Sequence, residues 1–344
     1  MVEWRDPRIW ASLVAGGALA GGIAVQRRFK QQIATDPERE PLSAPLEGRE
    51  LKIRSPGGIL LHARSFGPED ATPVVLSHGW TENLSFWTYQ IQALSELGLR
   101  VVAYDHRGHG ESEAPDDEDY SIERFGEDLE TVLEHCVSAD EHAVVAGHSL
   151  GAMAIAAWAR DHDVQRRVGA AALMNTGVGD LVAEQVLFPL PKVLQALNRT
   201  LAVHGFLGSR APLPRFSTPL SAAALRYIAF GPAATPAQVA FFERMLIANP
   251  PDVRATVGMA MSELELYDAL PRLTVPTVVI AGENDRLTPP SHARRIAEEL
   301  PQLMRLIVLP ETGHMAPLER HQEIVDVLRS LAQKVAQPPG AVPA

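Results

Sequence analysis

The sequence predicts an α/β fold, in which a mostly parallel sheet is covered by helices on both faces. Short apolar runs alternate along the chain with segments of helical periodicity, as is typical of buried parallel strands. One such run, residues 143–147, leads through a turn into a small-residue helical pattern. A long excursion between the apolar runs at 170–174 and 275–281 carries helical patterns of its own. A structureless loop of that length would be uncommon in a compact domain, so we interpret residues 178–250 of the excursion as a helical cap. We therefore expect a sheet-based core with an inserted helical cap.

Periodicity and turn residues give the order of the elements. A hairpin at Pro56-Gly57-Gly58 joins two predicted strands. The expected strands are 51–54, 60–65, 74–77, 100–104, 143–147, 170–174, 275–281 and 306–309. Helical spacing occurs at 87–97, 121–137, 151–157 and 317–333, and within the excursion at 187–201, 219–230, 236–249 and 253–270. The expected domains are a core of 50–177 and 251–335, a cap of 178–250 and a disordered tail of 336–344.

The composition is that of a globular protein with a sizeable core, since 46% of the 344 residues are hydrophobic and 21% are charged. The formal net charge of −11 repels phosphate backbones, so we expect no nucleic-acid partner. The single cysteine, Cys136, excludes an internal disulfide. It lies at an apolar position of a predicted helix, which favours a place in the core.

The N-terminal segment, residues 1–33, contains an uncharged and mostly apolar stretch at 9–25. Its seventeen residues are at the short end of a membrane span. The basic residues that follow at 27–30 outweigh those before it, so the positive-inside rule keeps the main domain cytoplasmic. An export signal and a peripheral helix are the alternatives. Residues 34–49, rich in proline and charge, are interpreted as a linker.

The sequence Gly147-His148-Ser149-Leu150-Gly151 fits the G-x-S-x-G pattern of a nucleophile elbow. A sharp turn between strand and helix exposes the Ser149 hydroxyl, and glycines at 147 and 151 avoid crowding where the two elements pack. The helix N-terminus that follows favours developing negative charge. The pattern also occurs by chance, but a predicted strand before it and a helix after it argue for a nucleophile.

A serine nucleophile needs a general base, and the base needs a carboxylate that holds its tautomer. Asp285 and His314 each follow a predicted strand, at 275–281 and 306–309. The carboxyl ends of parallel strands meet at one edge of a sheet, so these groups are expected beside Ser149. Glu283 competes with Asp285, which lies deeper in its loop. Other histidines compete with His314: His78, His106, His109 and His148.

An oxyanion hole is the second requirement of this chemistry. His78-Gly79-Trp80 ends the first buried strand of the predicted parallel sheet. We expect one backbone N–H from Trp80 and the other from Leu150, the residue after the nucleophile. Alone, His-Gly is an ordinary turn at the end of a strand. It indicates an oxyanion hole only because the nucleophile-elbow motif follows it in the chain.

These motifs resemble the α/β-hydrolase superfamily, in particular its serine esterases and lipases with a helical cap. The resemblance covers about residues 50–335, and its motifs are His78-Gly79-Trp80, Asp105-His106-Arg107-Gly108-His109-Gly110, Gly147-His148-Ser149-Leu150-Gly151, Gly282-Glu283-Asn284-Asp285 and Gly313-His314. It implies an eight-stranded sheet, no metal and no organic cofactor, and a structural role for the Asp105 loop. The family order of nucleophile, acid and histidine favours Asp285 and His314. Epoxide hydrolases and haloalkane dehalogenases carry aspartate where this chain has Ser149.

The resulting hypothesis is a serine hydrolase that cleaves a carboxylic ester with a lipophilic acyl group, such as a monoacylglycerol or a medium-chain ester. The cap residues Phe188, Phe241, Phe242 and Met245 are expected to line its substrate pocket. Thioester, amide or carbon–carbon cleavage and acyl transfer are alternatives that use the same three residues. A ligand-binding or membrane scaffold protein of the same fold is the non-enzymatic alternative. The sequence leaves the substrate's identity and the oligomeric state open.

Overall fold

A computed structural model describes residues 22–184 and 200–337. Its centre is one eight-stranded sheet in the order β1-β2-β4-β3-β5-β6-β7-β8. The strands are β1 Arg49–Arg54, β2 Leu60–Phe66, β3 Pro73–Ser77, β4 Arg100–Tyr104, β5 Ala143–His148, β6 Val168–Met174, β7 Thr277–Gly282 and β8 Leu303–Leu309. β2 pairs antiparallel with β1 and β4, and the pairs from β4 to β8 are parallel. The predicted fold class is therefore confirmed.

The helices lie on both faces of the sheet and above one of its edges. They are α1 (22–34), α2 Arg39–Ser43, α3 Thr88–Glu96, α4 Ile122–Cys136, α5 Leu150–Asp161, α6 Leu181–Glu184, α7 Pro219–Ala229, α8 Pro236–Ala248, α9 Pro251–Ser262, α10 Pro290–Glu299, α11 Ala316–Glu319 and α12 His321–Ala336. Short 3₁₀ segments cover Leu84–Trp87, Val164–Arg166 and Tyr267–Arg272, and Leu201–Leu207 is a π-helix.

The core consists of two layers, one on each face of the sheet, because successive strand residues point to opposite sides. Val75 and Val145 pack into the layer that contains α4, α5 and α10. Their neighbours Val74 and Val144 pack into the layer that contains α3 and α12. Both layers are apolar, which explains why the parallel strands appear in the sequence as continuous apolar runs rather than as alternating ones.

The parallel register brings the carboxyl ends of six strands, β3 to β8, to a common edge. Ser77 pairs with Gly147, His148 with Met174, and Met174 in turn with Ile280. Gly282 pairs with Leu309 at the end of β8. The loops that follow β3, β5, β6, β7 and β8 therefore begin side by side, which is the arrangement on which the predicted site depends.

Two predicted helices are divided in the structure. The pattern at 253–270 forms α9 and a separate 3₁₀ segment, and Leu266 N–H donates to Val178 O between them. The pattern at 317–333 forms α11 and α12, because Arg320 leaves the helical conformation with φ −130° and ψ 44°. Most of the patch at 187–201 and residues 338–344 of the tail lie outside the described residues. The division into core and cap at residues 178 and 250 stays a prediction.

The segment before β1 packs against the rest of the chain. Leu42 of α2 is buried, and the Asp36 carboxylate accepts a hydrogen bond from the Ala237 N–H at the start of α8. In the part of the chain that the structure describes, no helix has the length and apolarity needed to cross a bilayer. Residues 9–21 of the apolar stretch lie outside that part.

Candidate active site

Ser149 occupies a tight turn between β5 and α5. Its backbone has φ 50° and ψ −115°, a conformation that L-residues rarely adopt, and its N–H donates to Met174 O at 2.9 Å. The turn requires glycine on both sides. A Cβ at Gly147 would lie 2.5 Å from Ala152 N, and one at Gly151 would lie 2.1 Å from Ser77 O. The strand, the strained residue and the helix thus form the elbow that the sequence pattern predicts.

Asp285 and His314 are brought together by the loops after β7 and β8. His314 Nδ1 lies 2.8 Å from Asp285 Oδ2, and both residues are buried. Asp285 Oδ1 accepts the backbone N–H groups of Leu287 and Thr288, each at 2.9 Å. Because a carboxylate held in this way can only accept, it fixes the proton of His314 on Nδ1 and leaves Nε2 as the basic nitrogen.

The environment of Asp285 keeps its carboxyl group ionised. Burial alone would raise its pKa, but the charge and hydrogen bond of His314, the Asn175 amide and the Thr288 backbone N–H outweigh burial and lower the pKa below its usual value. An ionised Asp285 can stabilise positive charge on the imidazole of His314 during a proton transfer. The pair therefore has the electrostatics of a general base with its orienting carboxylate.

Two residues that the sequence reasoning missed complete this pair. Asn175, with φ 46°, follows β6, and its Nδ2 donates to Asp285 Oδ2 and to Gly313 O at 3.0 Å each. The Thr288 hydroxyl donates to Asp285 Oδ2 at 3.0 Å and lies 3.2 Å from His314 Nδ1. A signal for Asn175 was present in the sequence, because it is the first polar residue after an apolar strand whose end reaches the same edge.

The residues that compete with Asp285 and His314 for the roles of acid and base lie elsewhere. Glu283 is exposed and lies 3.4 Å from the Glu311 N–H rather than beside His314. His78 and His106 are fully buried with ring centroids 4.5 Å apart, and His109 packs next to them. Burial lowers the pKa of each of these three histidines, so they are neutral core groups.

The predicted oxyanion-hole residues flank Ser149. Trp80 lies in a turn in which the Glu82 N–H donates to Gly79 O at 3.3 Å and Thr81 has φ 63°. The indole Nε1 of Trp80 donates to Arg254 O at 2.9 Å, which anchors the side chain. Leu150 is the first residue of α5, and the first N–H groups of a helix have no acceptor within it. Their role as oxyanion donors stays a prediction.

A cavity of about 210 Å³ lies beside these groups. Ser149, His314 and Trp80 contribute to its wall, and most of the wall is apolar. The larger apolar residues in it include Met153, Phe206, Leu225, Phe242, Leu246 and Met261. Charged side chains in the wall are Glu82 and Arg254, and the Arg254 guanidinium donates to Ala211 O at 2.6 Å. The cavity is therefore suited to an uncharged, apolar group.

The predicted pocket residues divide between two faces of α8. Phe242 lines the cavity together with Leu246, one helical turn later. Phe241 and Met245 do not belong to this wall. The Arg244 guanidinium carbon lies over the Phe241 ring, 5.5 Å from the ring centroid. Met245 lines a separate polar depression. Phe188 lies outside the described residues. Residues 241 and 245 share one helix face, so the prediction mixed two faces of one helix.

A metal site requires a cluster of possible ligands among the side chains. Within residues 22–184 and 200–337, no group of three or more histidine, cysteine, aspartate or glutamate side chains is arranged to hold a metal ion.

Comparison with known proteins identifies the class to which this arrangement belongs. The family model for the alpha/beta hydrolase fold matches residues 72–321, so the chain belongs to the α/β-hydrolase family and is a hydrolase-class enzyme. It is 31% identical over 254 residues to the "Putative carbamate hydrolase RutD" of Variovorax paradoxus (strain S110), covering 74% of this chain and 89% of the relative.

Two further relatives agree with this assignment. The bifunctional esterase/perhydrolase DCH of Acinetobacter calcoaceticus is 25% identical over 286 residues, covering 79% of this chain and 95% of that protein. The crystal structure of a hydrolase from Pseudomonas aeruginosa PA01 superimposes with a TM-score of 0.64 at 28% identity, over 83% of this chain and 99% of that one.

Proposed function

We propose that the protein is a serine hydrolase that cleaves carboxylic esters with a lipophilic acyl group through an acyl-enzyme on Ser149. The observation that carries the proposal is the shared cavity: Ser149 and His314 line the same apolar space, and His314 Nδ1 lies 2.8 Å from Asp285. A nucleophile, a base and an orienting carboxylate are the three groups that acyl transfer requires.

In this mechanism the Ser149 Oγ attacks the carbonyl carbon of the ester while His314 Nε2 takes its proton. Asp285 stabilises the imidazolium that forms, and the backbone N–H groups of Trp80 and Leu150 donate to the oxyanion. Each such donor contributes about 10²–10³ in rate. The tetrahedral intermediate collapses as His314 gives its proton to the leaving alcohol. Water, deprotonated by His314, then attacks the acyl-enzyme, and the acid leaves as Ser149 regains its proton.

The ester substrate class is supported by the cavity and by one relative. The wall around Ser149 is mostly apolar, and the guanidinium of Arg254 is engaged by backbone carbonyls. An apolar acyl chain gains about 0.8 kcal/mol for each methylene that it buries there. The relative from Acinetobacter calcoaceticus is named an esterase/perhydrolase.

Carbamate hydrolysis is a second candidate, because the relative with 31% identity carries that activity in its name. It uses the same three residues, since a carbamate carbonyl is also attacked by an activated hydroxyl. The apolar wall favours the ester, whose acyl group can bury more apolar surface than a small carbamate.

The proposal includes membrane attachment through residues 9–25, with the catalytic domain on the cytoplasmic side. It rests on the sequence alone: an apolar stretch followed by basic residues at 27–30. The full chain should sediment with membranes and resist extraction at high salt, whereas a chain starting at residue 34 should remain in the supernatant. Release of the full chain by salt would contradict the attachment without affecting the chemistry.

A panel of p-nitrophenyl esters from acetyl through butyryl and hexanoyl to octanoyl tests the reaction and the acyl preference together. We expect kcat/KM to rise by about fourfold for each added methylene until the cavity is filled, and Ser149→Ala to abolish turnover. The corresponding carbamates should react more slowly. A flat response to chain length would contradict the lipophilic acyl group, and an active Ser149→Ala variant would contradict the mechanism.

A further inference from the structure

A second carboxylate–histidine pair lies behind the elbow and is formed by Glu82 and His148. Both residues are buried, at 2% and 0% exposure, and Glu82 also contributes to the wall of the cavity. His148 Nδ1 lies 3.0 and 3.2 Å from the two carboxylate oxygens of Glu82. On the other side of the ring, His148 Nε2 lies 2.8 Å from the backbone carbonyl oxygen of His314.

The partners of the imidazole limit its protonation. A carbonyl oxygen only accepts, so Nε2 of His148 carries a proton. Nδ1 then either carries a second proton towards an ionised Glu82 or accepts one from a neutral Glu82. Glu82 Oε2 also accepts the Gly79 N–H, and the Phe86 ring stacks on the imidazole at 4.7 Å. Both contacts favour a carboxylate beside an imidazolium.

The electrostatic balance at His148 agrees with this geometry. Burial by itself would lower the pKa of His148, but the charge of Glu82 and its hydrogen bond raise the pKa above the usual value for histidine. The imidazolium of a buried pair is costly to form unless its partners are well placed, and here each N–H has an acceptor.

The pair joins the three loops from which the site is built. Glu82 closes the turn that begins at Gly79 and carries the Trp80 amide. His148 directly precedes Ser149, and its Nε2 holds the main chain of His314. The fit is tight, because a Cβ at Gly79 would lie 2.8 Å from His148 Nδ1 and 2.9 Å from Glu82 Oε2.

We propose that Glu82 and His148 are positioning residues, whose ion pair holds the Trp80 amide and the His314 loop in the geometry of the transition state. The inference rests on the proposed function of Ser149 and His314 and deepens it. A buried ion pair adds little net stability compared with apolar packing, so its place between three functional loops is better explained by alignment than by stability.

Substitutions at Glu82 separate charge from geometry. Glu82→Gln retains an acceptor for the Gly79 N–H and offers an N–H to a neutral His148, so the hydrogen bonds remain and the charge is lost. Glu82→Leu removes both. We expect kcat to fall about tenfold in the first variant and about 100-fold in the second, with KM for the ester changed by less than about threefold. Glu130→Gln is the matched control, since Glu130 binds Trp158 Nε1 on the opposite layer, and it should leave kcat unchanged.

An oxyanion-forming inhibitor reports alignment independently of stability. A trifluoromethyl ketone adds to Ser149 and places its oxyanion between the amides, whereas the matching methyl ketone mimics the ground state. The affinity for the trifluoromethyl ketone should fall by the same factor as kcat in both Glu82 variants, and that for the methyl ketone should not. A lower melting temperature with an unchanged ratio of the two affinities would overturn the proposal.

The two contacts of His148 can be separated in the same way. His148→Asn keeps a donor near the Nδ1 position, and His148→Gln keeps one near the Nε2 position. We expect both to lower kcat, because each disconnects one of the two loops, and a wild-type kcat in either variant would overturn the proposal. These variants also cover the case in which Glu82→Leu does not fold.

Nitrogen-15 NMR of the imidazole tests the ion pair without any use of activity. Both ring nitrogens of His148 should be protonated in the wild type at pH 8, and one should be deprotonated in Glu82→Gln. A neutral His148 in the wild type would overturn the ion pair. If Ser149 proves unreactive while the NMR result stands, the proposed function fails and the ion pair does not.

Discussion

Two aspartate–histidine pairs of nearly equal geometry occur in this molecule. His314 Nδ1 lies 2.8 Å from Asp285 Oδ2, and His62 Nδ1 lies 2.8 Å from Asp105 Oδ2. All four side chains are buried. Judged by distance and burial alone, the two pairs are indistinguishable.

Their surroundings differ. His314 shares an apolar cavity with Ser149, whereas His62 lines a polar depression beside Glu111 and Ser112. The hydrogen bond that His62 donates to Asp105 raises the pKa of His62, although burial opposes it. A carboxylate–histidine pair thus becomes a candidate base where its histidine shares a cavity with a strained serine, as His314 does with Ser149.

Asp105 is occupied by its own loop. Its Oδ1 accepts the Leu84 N–H at 2.7 Å and its Oδ2 accepts the Glu111 N–H at 2.9 Å, in addition to His62. Asp285 also binds backbone amides, but its second oxygen faces a histidine that reaches the cavity. The first carboxylate therefore organises a turn, and the second orients a base.

Replacing each of the two histidines by alanine should give the largest difference in activity between the pairs. His314→Ala should lower kcat/KM by about 10⁴-fold, because the nucleophile loses its base. His62→Ala should leave kcat/KM within about threefold of the wild type. Steady-state kinetics on the octanoyl ester measures both. Equal losses in the two variants would remove the distinction between the pairs.

The two carboxylates give the next largest difference. Asp285→Asn should lower kcat by about 10³-fold, because an amide N–H can turn the His314 tautomer the wrong way. Asp105→Asn should reduce thermal stability instead, through its contacts with Leu84 and Glu111, and leave kcat of the folded fraction nearly unchanged. Kinetics at a temperature where both variants are folded, with melting curves as the control, separates the two effects.

The His314 loop carries a pH-dependent contact with Glu319. This carboxylate accepts the N–H groups of Gly231 and Gly313, and burial raises its pKa to about 7. Because the folded-state pKa lies above the unfolded value, its contribution to stability is present below about pH 4.5 and is lost as the pH rises through 7.

The free energy of unfolding of the wild type relative to Glu319→Gln should therefore fall by about 3 kcal/mol between pH 4.5 and 8. Urea unfolding of both proteins across this range measures the difference. A difference that does not vary with pH would show that Glu319 does not titrate in this interval.

The apolar cavity, which the His62–Asp105 pair lacks, accounts for the smallest expected effect. Phe242→Trp should lower kcat/KM for the octanoyl ester about tenfold relative to the acetyl ester, because it removes room for the acyl chain. Phe241→Trp is the matched control on the same helix and should cost stability without altering that ratio. A change of acyl preference in the control but not in Phe242→Trp would reverse the assignment of helix faces.

The parts of the site that follow strand ends were predictable from the sequence. Ser149 directly follows β5, whereas Asp285 and His314 lie in the loops after β7 and β8, and the parallel register brings these strand ends to one edge. The same rule applied to β6 would have found Asn175. Local patterns sufficed because each of these residues is positioned by the strand before it.

The remaining features depend on contacts that no local pattern contains. Glu82 and His148 are 66 positions apart, so no local pattern shows that they pair. Helix α8 is apolar on nearly every side, so its sequence does not reveal which face meets the cavity; Phe242 lines it, whereas Phe241 and Met245 do not. Tertiary packing decides which face of such a helix meets the cavity.

In the proposed mechanism one hydroxyl, that of Ser149, is activated by His314. Labelling with an alkyl fluorophosphonate, followed by peptide mass spectrometry, tests this activation. We expect one adduct per chain on the peptide that contains Ser149, and a labelling rate that collapses in His314→Ala but not in His62→Ala. An adduct on another serine, such as Ser112 beside His62, or an unlabelled enzyme that still hydrolyses esters, would contradict it.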